Sequence, residues 1–330
     1  MLCADARHDV LSWYHSHQRK LPWRANKDAW SILLSEVILQ QTQVSRGTLY
    51  WQKLLHAFPS VEAMADASVD EVLKIWEGAG YYSRARRLHG LSLKVMQPVE
   101  DGGYGGQLPT TYAGWLDLPG IGPYTAAAIA SIAHGEPVAC VDGNIRRVMA
   151  RLTANPSPSP NEVMAWAQAS LDHDNPGDWN QALMELGATV CMPKKAQCAV
   201  CPLQQTCHGR AQALSYPSAK PQKVQRVEWF TVVRFATDSH PVLVQRSNEG
   251  LFGGLWGPVY EEKKTELDPK AVYCGQVQHG LSHRDILVDV YTLEEKRTQR
   301  GVDPKSVAIS SLDQKVLNVA QASRQAIGHD

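Results

Sequence analysis

Residues 118–133 read LPGIGPYTAAAIASIA, and residues 141–152 read VDGNIRRVMARL. In the first stretch Gly120 and Gly122 permit dihedrals and a close backbone approach that bulkier residues resist. Pro123 suits the first turn of a helix, which the alanine-rich run extends. With a helix over Thr110–Leu116 before it, the segment reads as helix, glycine-rich hairpin, helix. Backbone N–H groups at such a turn can hold a phosphate oxygen without reading base sequence, although a plain helix–helix connection has the same pattern. In the second stretch Ile145, Val148, Met149 and Leu152 share one helix face. Asp142 stands just before it, either as an N-cap worth about 1 kcal/mol or as a carboxylate held for chemistry with Asn144 as the cap.

Upstream, residues from about 5 to 214 carry mostly i, i+3, i+4 apolar patterns, as at Val69, Val72, Leu73 and Trp76. The run WSILLSEVILQQTQV, Trp30–Val44, is apolar nearly all round, which predicts a buried helix. Glu36 lies inside it on a face with Ile32, Leu33 and Leu39. A poorly solvated carboxyl has a raised pKa and carries a proton near neutral pH. The competing expectation is a buried glutamate neutralised by Arg19 or Arg24.

Downstream, CMPKKAQCAVCPLQQTC holds Cys191, Cys198, Cys201 and Cys207 in the spacing C-x6-C-x2-C-x5-C. Four thiolates in one short loop can hold zinc or an iron–sulfur cluster, and spacing alone does not separate the two. The first residues, MLCADARHDVLSWYHSHQRK, contain no apolar secretory core, and no run approaches the roughly 20 apolar residues of a membrane span. A reducing compartment is therefore expected, where clustered cysteines bind metal rather than form disulfides. The net charge is +0, so charge alone points to no partner.

Beyond residue 214 the character changes. SYPSAKPQKVQR, Ser215–Arg226, reads as a linker. EWFTVVRFA, PVLVQRS and RDILVDVYTL then read as strands, and the final residues, about 315–330, as a short helix or a frayed tail.

Together these stretches resemble the helix-hairpin-helix DNA glycosylases that include endonuclease III. The resemblance rests on the hairpin, the following aspartate and the cysteine spacing. Within that superfamily the chain is most similar to adenine DNA glycosylases of the MutY type. LPWR at Leu21–Arg24, SEVILQQTQV at Ser35–Val44, GAGYYSRARRLH at Gly78–His89 and NQALMELGATVC at Asn180–Cys191 carry it, together with VDGNIRRVMARL. It runs unbroken over residues from about 7 to 210 and more weakly beyond. The implied fold is a multidomain α plus α+β protein. An all-helical glycosylase domain over 1–214, with a [4Fe–4S] loop at 191–207, is joined by a linker over 215–226 to a small Nudix-like α/β/α domain over 227–330.

The resemblance implies excision of adenine mispaired with 8-oxoguanine, or with guanine, from double-stranded DNA by a monomer, and the start of the catalytic stretch almost at residue 1 makes a bacterial cytoplasm the expected setting. Glu36 would be the general acid and Asp142 the carboxylate beside the developing sugar cation, helped by Tyr124 and Asn144. Bifunctional relatives carry lysine where Tyr124 stands, so a monofunctional enzyme is expected, the alternative being an endonuclease III-like glycosylase and lyase for oxidised pyrimidines. Arg19, Trp23, Arg24, Leu39 and Gln181 would form the adenine pocket. Gln41, Thr42 and Tyr81 would meet the opposite strand, and Arg84, Arg86 and Arg87 form a basic run that by default is a solvated helix face and can also meet phosphates. Leu118, Gly120, Gly122 and Thr125 would grip the backbone, with a monovalent cation bound in some states. Cys191, Cys198, Cys201 and Cys207 would hold one [4Fe–4S] cluster. In HGLSHRDILVDVY, Ser282 and His283 occupy the lesion-reading position, but Leu281 replaces the usual Phe. LFGGLWGPV resembles a Nudix turn without the Glu-rich metal-binding helix after it, so pyrophosphatase activity is not expected.

Overall fold

The helical pattern becomes eleven helices before residue 190 among the described residues. The computed structural model describes residues 2–218, 224–293 and 300–326. Part of the expected linker, residues 219–223, and the last residues, 327–330, lie outside them. The chain forms α1 (Ala4–His17), α2 (Ala29–Ile38), α3 (Val44–Ala57), α4 (Val61–Asp66), α5 (Val69–Trp76) and α6 (Ser83–Met96). It continues through α7 (Tyr112–Leu116), α8 (Pro123–His134), α9 (Gly143–Leu152), α10 (Pro160–Ala169) and α11 (Pro176–Thr189). Two compact units emerge, Met1–Asp66 with Arg87–Lys220, and Ala67–Arg86 with Pro221–Asp330.

In the first unit α2 is buried on nearly every side, as its uniform hydrophobicity predicts. Asp28 starts it by accepting from the Ser31 backbone N–H at 2.7 Å. Helix α8 follows the hairpin with Gly122 as N-cap and Pro123 at the first position, and its alanines are buried. That small-residue surface lets α2, α7 and α11 pack closely on it. Tyr14, Ile145, Trp179 and Leu186 belong to the core formed by α1, α8, α9, α10 and α11.

The second unit holds strands β1 (Gln225–Arg234), β2 (Val244–Gln245), β3 (Trp256–Gly257), β4 (Val272–Gly280) and β5 (Arg284–Leu293), then α12 (Ser311–Ala326). Strand β5 is central, parallel to β1 and antiparallel to β4. Helix α12 packs on β4 and β5. The strand expected over PVLVQRS shortens to Val244–Gln245, because its partner is only Trp256–Gly257 at the end of a glycine-rich loop. Strand β4 was not anticipated, since a bulge between Tyr273 and Gly275 breaks its alternation. Helix α5 also belongs to this unit. A capping box between Ser68 and Glu71 starts it, and Val72, Leu73 and Trp76 are buried. Lys74 donates to the Val307 carbonyl and Gln245 to Asp70, so residues 67–86 are fastened to the C-terminal chain.

Candidate active site

Glu36 faces a cavity of about 610 Å3 in the first unit. The walls come from residues 21–24, from α2 and the turn after it, and from α8, α9 and α11. This brings together Arg19, Trp23, Arg24, Leu39, Gln41, Thr42, Tyr124, Asp142, Asn144 and Gln181, all marked by the sequence. Gln41 adopts φ 58, which turns the chain at the cavity mouth.

Burial pushes the Glu36 carboxyl up to about 7, against the opposing bias of the Tyr124 hydroxyl. The expected neutralisation by arginine goes elsewhere. Arg19 Nε and Arg24 Nη2 donate to Glu185 on α11 at 2.7 and 2.9 Å. Burial drives Glu185 upward, but these bonds outweigh it and hold the carboxyl below its ordinary value. Its side chain is 0% exposed, so the two arginines compensate a charge that water does not reach.

Asp142 is both a cap and a site carboxylate. Its Oδ1 accepts from the Ile145 backbone N–H at 2.7 Å, and its Oδ2 from Asn144 Nδ2 at 2.6 Å. Asn144 therefore supports Asp142 instead of replacing it as the cap. Burial raises the Asp142 pKa, while those two donors pull it back. Gly187 on α11 permits this arrangement, since a Cβ there would lie 2.5 Å from Asn144 Cβ. The Tyr124 hydroxyl donates to Met184 Sδ at 3.2 Å, and burial lifts its pKa well above the ordinary value.

At the hairpin, Gly120 has φ 80 and a Cβ would meet the Arg87 side chain at 2.7 Å. Gly122 faces open space. Leu118 and Thr125 are buried, so they can serve a phosphate only through their backbone. Of the basic run, Arg87 alone is exposed. Arg84 donates to Gly80 O and stacks on Trp76 and Tyr81. Burial brings its pKa down to about 10. Arg86 donates to Gly253 O and Asn248 O. Those two cations brace the second unit, which corrects the view of the run as one phosphate-facing patch.

Cys191, Cys198, Cys201 and Cys207 line one small cavity with Arg151. No group of three or more His, Cys, Asp or Glu side chains that could hold a single metal ion occurs among the described residues. Arg151 is 2% exposed and donates to Cys191 Sγ at 3.3 Å and to the carbonyls of Met192, Pro193 and Tyr216. No carboxylate pairs with this buried cation among the described residues. Four thiolates carrying net negative charge would compensate it, so the residues fit an anionic cluster. Arg147 donates to Cys191 O at 2.8 Å and to Asn144 Oδ1 at 2.7 Å.

In the second unit Tyr81, at φ 49, shares a hydrogen bond of 2.6 Å with Ser282 Oγ. Ser282 and His283 sit exposed in the turn between β4 and β5. After the glycine-rich turn only the short 3-10 segment Lys264–Glu266 appears before β4, in keeping with the missing Glu-rich helix.

Sequence reasoning missed Glu185, Met184, Arg147 and Arg151. The signal was helical spacing. Gln181, Glu185 and Ala188 repeat along one face of α11, and Arg147 and Arg151 stand four apart on α9.

The helical unit and its paired carboxylates define a helix-hairpin-helix DNA glycosylase. Residues 34–172 match the family model described as HhH-GPD superfamily base excision DNA repair protein. The chain is 43% identical to the mouse adenine DNA glycosylase, across 97% of this chain and 78% of that protein. It is 31% identical to the human adenine DNA glycosylase, across 96% and 74%. The chain belongs to the adenine DNA glycosylase family and is an enzyme of base excision repair. Among solved structures, a thermostable thymine-DNA glycosylase superposes with TM-score 0.57 and 27% identity, over 62% of this chain and 95% of that one. An endonuclease III–DNA complex superposes with TM-score 0.55 at 20% identity, over 64% and 98%, and shows the shared fold.

Proposed function

We propose that this chain removes adenine paired with 8-oxoguanine, or with guanine, from double-stranded DNA and leaves the strand intact. The observation that carries the reading is Glu36, a carboxyl whose burial sets its pKa at about 7 in a cavity shared with Asp142. The target adenine leaves the stack, at a cost of a few kcal/mol, and enters this cavity. Glu36 gives its proton to adenine N7, the C1′–N9 bond breaks, and its electron pair goes to the purine. Asp142, fixed by Ile145 N–H and Asn144, faces the sugar cation as a carboxylate. Water then adds at C1′ and returns a proton to the site. Arg19 and Arg24, held by the buried Glu185 carboxylate, supply donors suited to the polar edge of the base. Tyr124 offers no amine, so no Schiff base forms there and the phosphodiester survives.

The four cysteines would hold one [4Fe–4S] cluster, which when bound ties the loop 191–207 to α9. A reducing cytoplasm keeps these thiols available. The hairpin backbone and Arg87 suit a phosphate, with a monovalent cation on the hairpin carbonyls in some states. The C-terminal unit, Nudix-like but without the metal-binding helix, would read the lesion through Ser282, His283 and Tyr81.

The test is single-turnover adenine release from a duplex with one A opposite 8-oxoguanine, read with and without alkali. Release with breaks only after alkali is the expected result. Breaks without alkali would overturn the monofunctional reading, and no release from protein with an intact cluster would overturn the substrate.

A further inference from the structure

The Tyr124 hydroxyl has one proton and two acceptors within its reach. One is the Glu36 carboxyl, which that hydroxyl biases downward. The other is Met184 Sδ, 3.2 Å away, to which it donates in this structure. Met184 also lines the cavity, one residue before Glu185 on the face of α11 that bears Gln181. A thioether is a weak acceptor and an unusual choice beside two carboxylates, where a leucine would fill the same space.

We infer that Met184 is a positioning residue for the catalytic acid: its sulfur competes for the Tyr124 hydroxyl proton and so weakens the hold of that hydroxyl on the Glu36 carboxylate. This rests on Glu36 being the proton donor. A phenol donating to Glu36 favours the ionised form, which cannot protonate a base. A phenol whose proton is shared with sulfur favours the ionised form less, and Glu36 keeps its own proton to higher pH. Because sulfur accepts weakly, Tyr124 can turn back to Glu36 once the proton has left, when the carboxylate is the stronger acceptor. The same hydroxyl thus holds the acid weakly before proton transfer and steadies its conjugate base more strongly afterwards. Other groups facing Glu36 do not substitute for this. Asp142 raises its pKa, Arg24 lowers it, and Cys140 is a buried thiol with its own pKa pushed well up by burial. Arg19 and Arg24 are bonded to Glu185.

The test is the pH profile of single-turnover excision by the full-length, cluster-containing protein. Met184→Leu keeps the volume and deletes the acceptor. The basic limb should move down by about one pH unit, which makes the rate about tenfold lower above it, while the plateau at low pH stays near wild type. Met184→Gln, whose carbonyl can accept the same proton, should restore the limb. In a Tyr124→Phe background, Met184→Leu should move nothing, because no phenol remains to be redirected. Unchanged limbs in Met184→Leu, whether or not the rate falls uniformly, would overturn the inference and reduce Met184 to packing. Wild-type excision by Glu36→Gln would instead overturn the acid assignment on which it rests. Absorbance of the cluster and duplex affinity, measured for each variant, separate both outcomes from misfolding.

Discussion

The two units secure their functional side chains by opposite means. In the first, the site carboxylate Asp142 is held by a chain of hydrogen bonds from its own helix. Asp142 is the N-cap of α9 and is braced by Asn144, and Asn144 is braced by Arg147. In the second, Ser282 and His283 project from a hairpin turn, and Tyr81 meets Ser282 at an exposed position. Chemistry that moves a proton needs fixed distances and a dry wall, which buried helices supply. Recognition of a surface that must slide in and out needs accessible groups, which a turn supplies. The difference teaches that damage to the first unit should change how fast bonds break, and damage to the second should change which duplexes are chosen.

The sharpest way to break this comparison is Glu36→Gln. Excision should fall by roughly 10^2 to 10^4-fold with duplex affinity retained, measured by single-turnover kinetics beside a binding titration. The wild-type rate should hold below about pH 7 and decline above it, since the raised carboxyl must be protonated to act and loses that proton as pH passes 7. Next comes Glu185→Gln, which leaves Arg19 and Arg24 without their buried partner. Unfolding free energy should drop by about 3–5 kcal/mol in a denaturant titration, and a drop no larger than a surface change would show that water compensates the arginines. A smaller effect is expected from Ser282→Ala. Losing a hydrogen bond of about 1 kcal/mol should reduce the preference for 8-oxoguanine over guanine about fivefold, with the limiting excision rate intact. An equal fall on both duplexes would erase the division of labour. Smallest is Ser68→Ala in the capping box of α5, which should lower thermal stability of the second unit by about 1 kcal/mol and leave excision rates unchanged.

Much of the first unit was legible because its periodicity and its chemistry coincide. The uniform hydrophobicity of α2 announced both its burial and the unusual state of Glu36, and Gly122–Pro123 announced the start of α8. What stayed hidden were long-range pairings. Nothing local tells Arg24 to choose Glu185, 161 positions away, over the nearer Glu36. Arg84 and Arg86 looked like solvent-facing charges, because the stacking of Arg84 back on Trp76 depends on the glycine turn at 78–80, and the bonding of Arg86 to Gly253 depends on chain that returns from far downstream. The same limit applies to residues 67–86. Their helical pattern gave α5 its length and its buried face, but not the unit to which that face belongs.

Gly187 has one more consequence. It touches no base in the proposed reaction and bears no functional group, yet a single methyl there would displace Asn144 and, through it, Asp142. In a saturation mutational scan scored by repair in cells, position 187 should be as intolerant as the carboxylates themselves. Its failing variants should be abundant, folded and inactive, so a screen for protein level alone would class them as harmless.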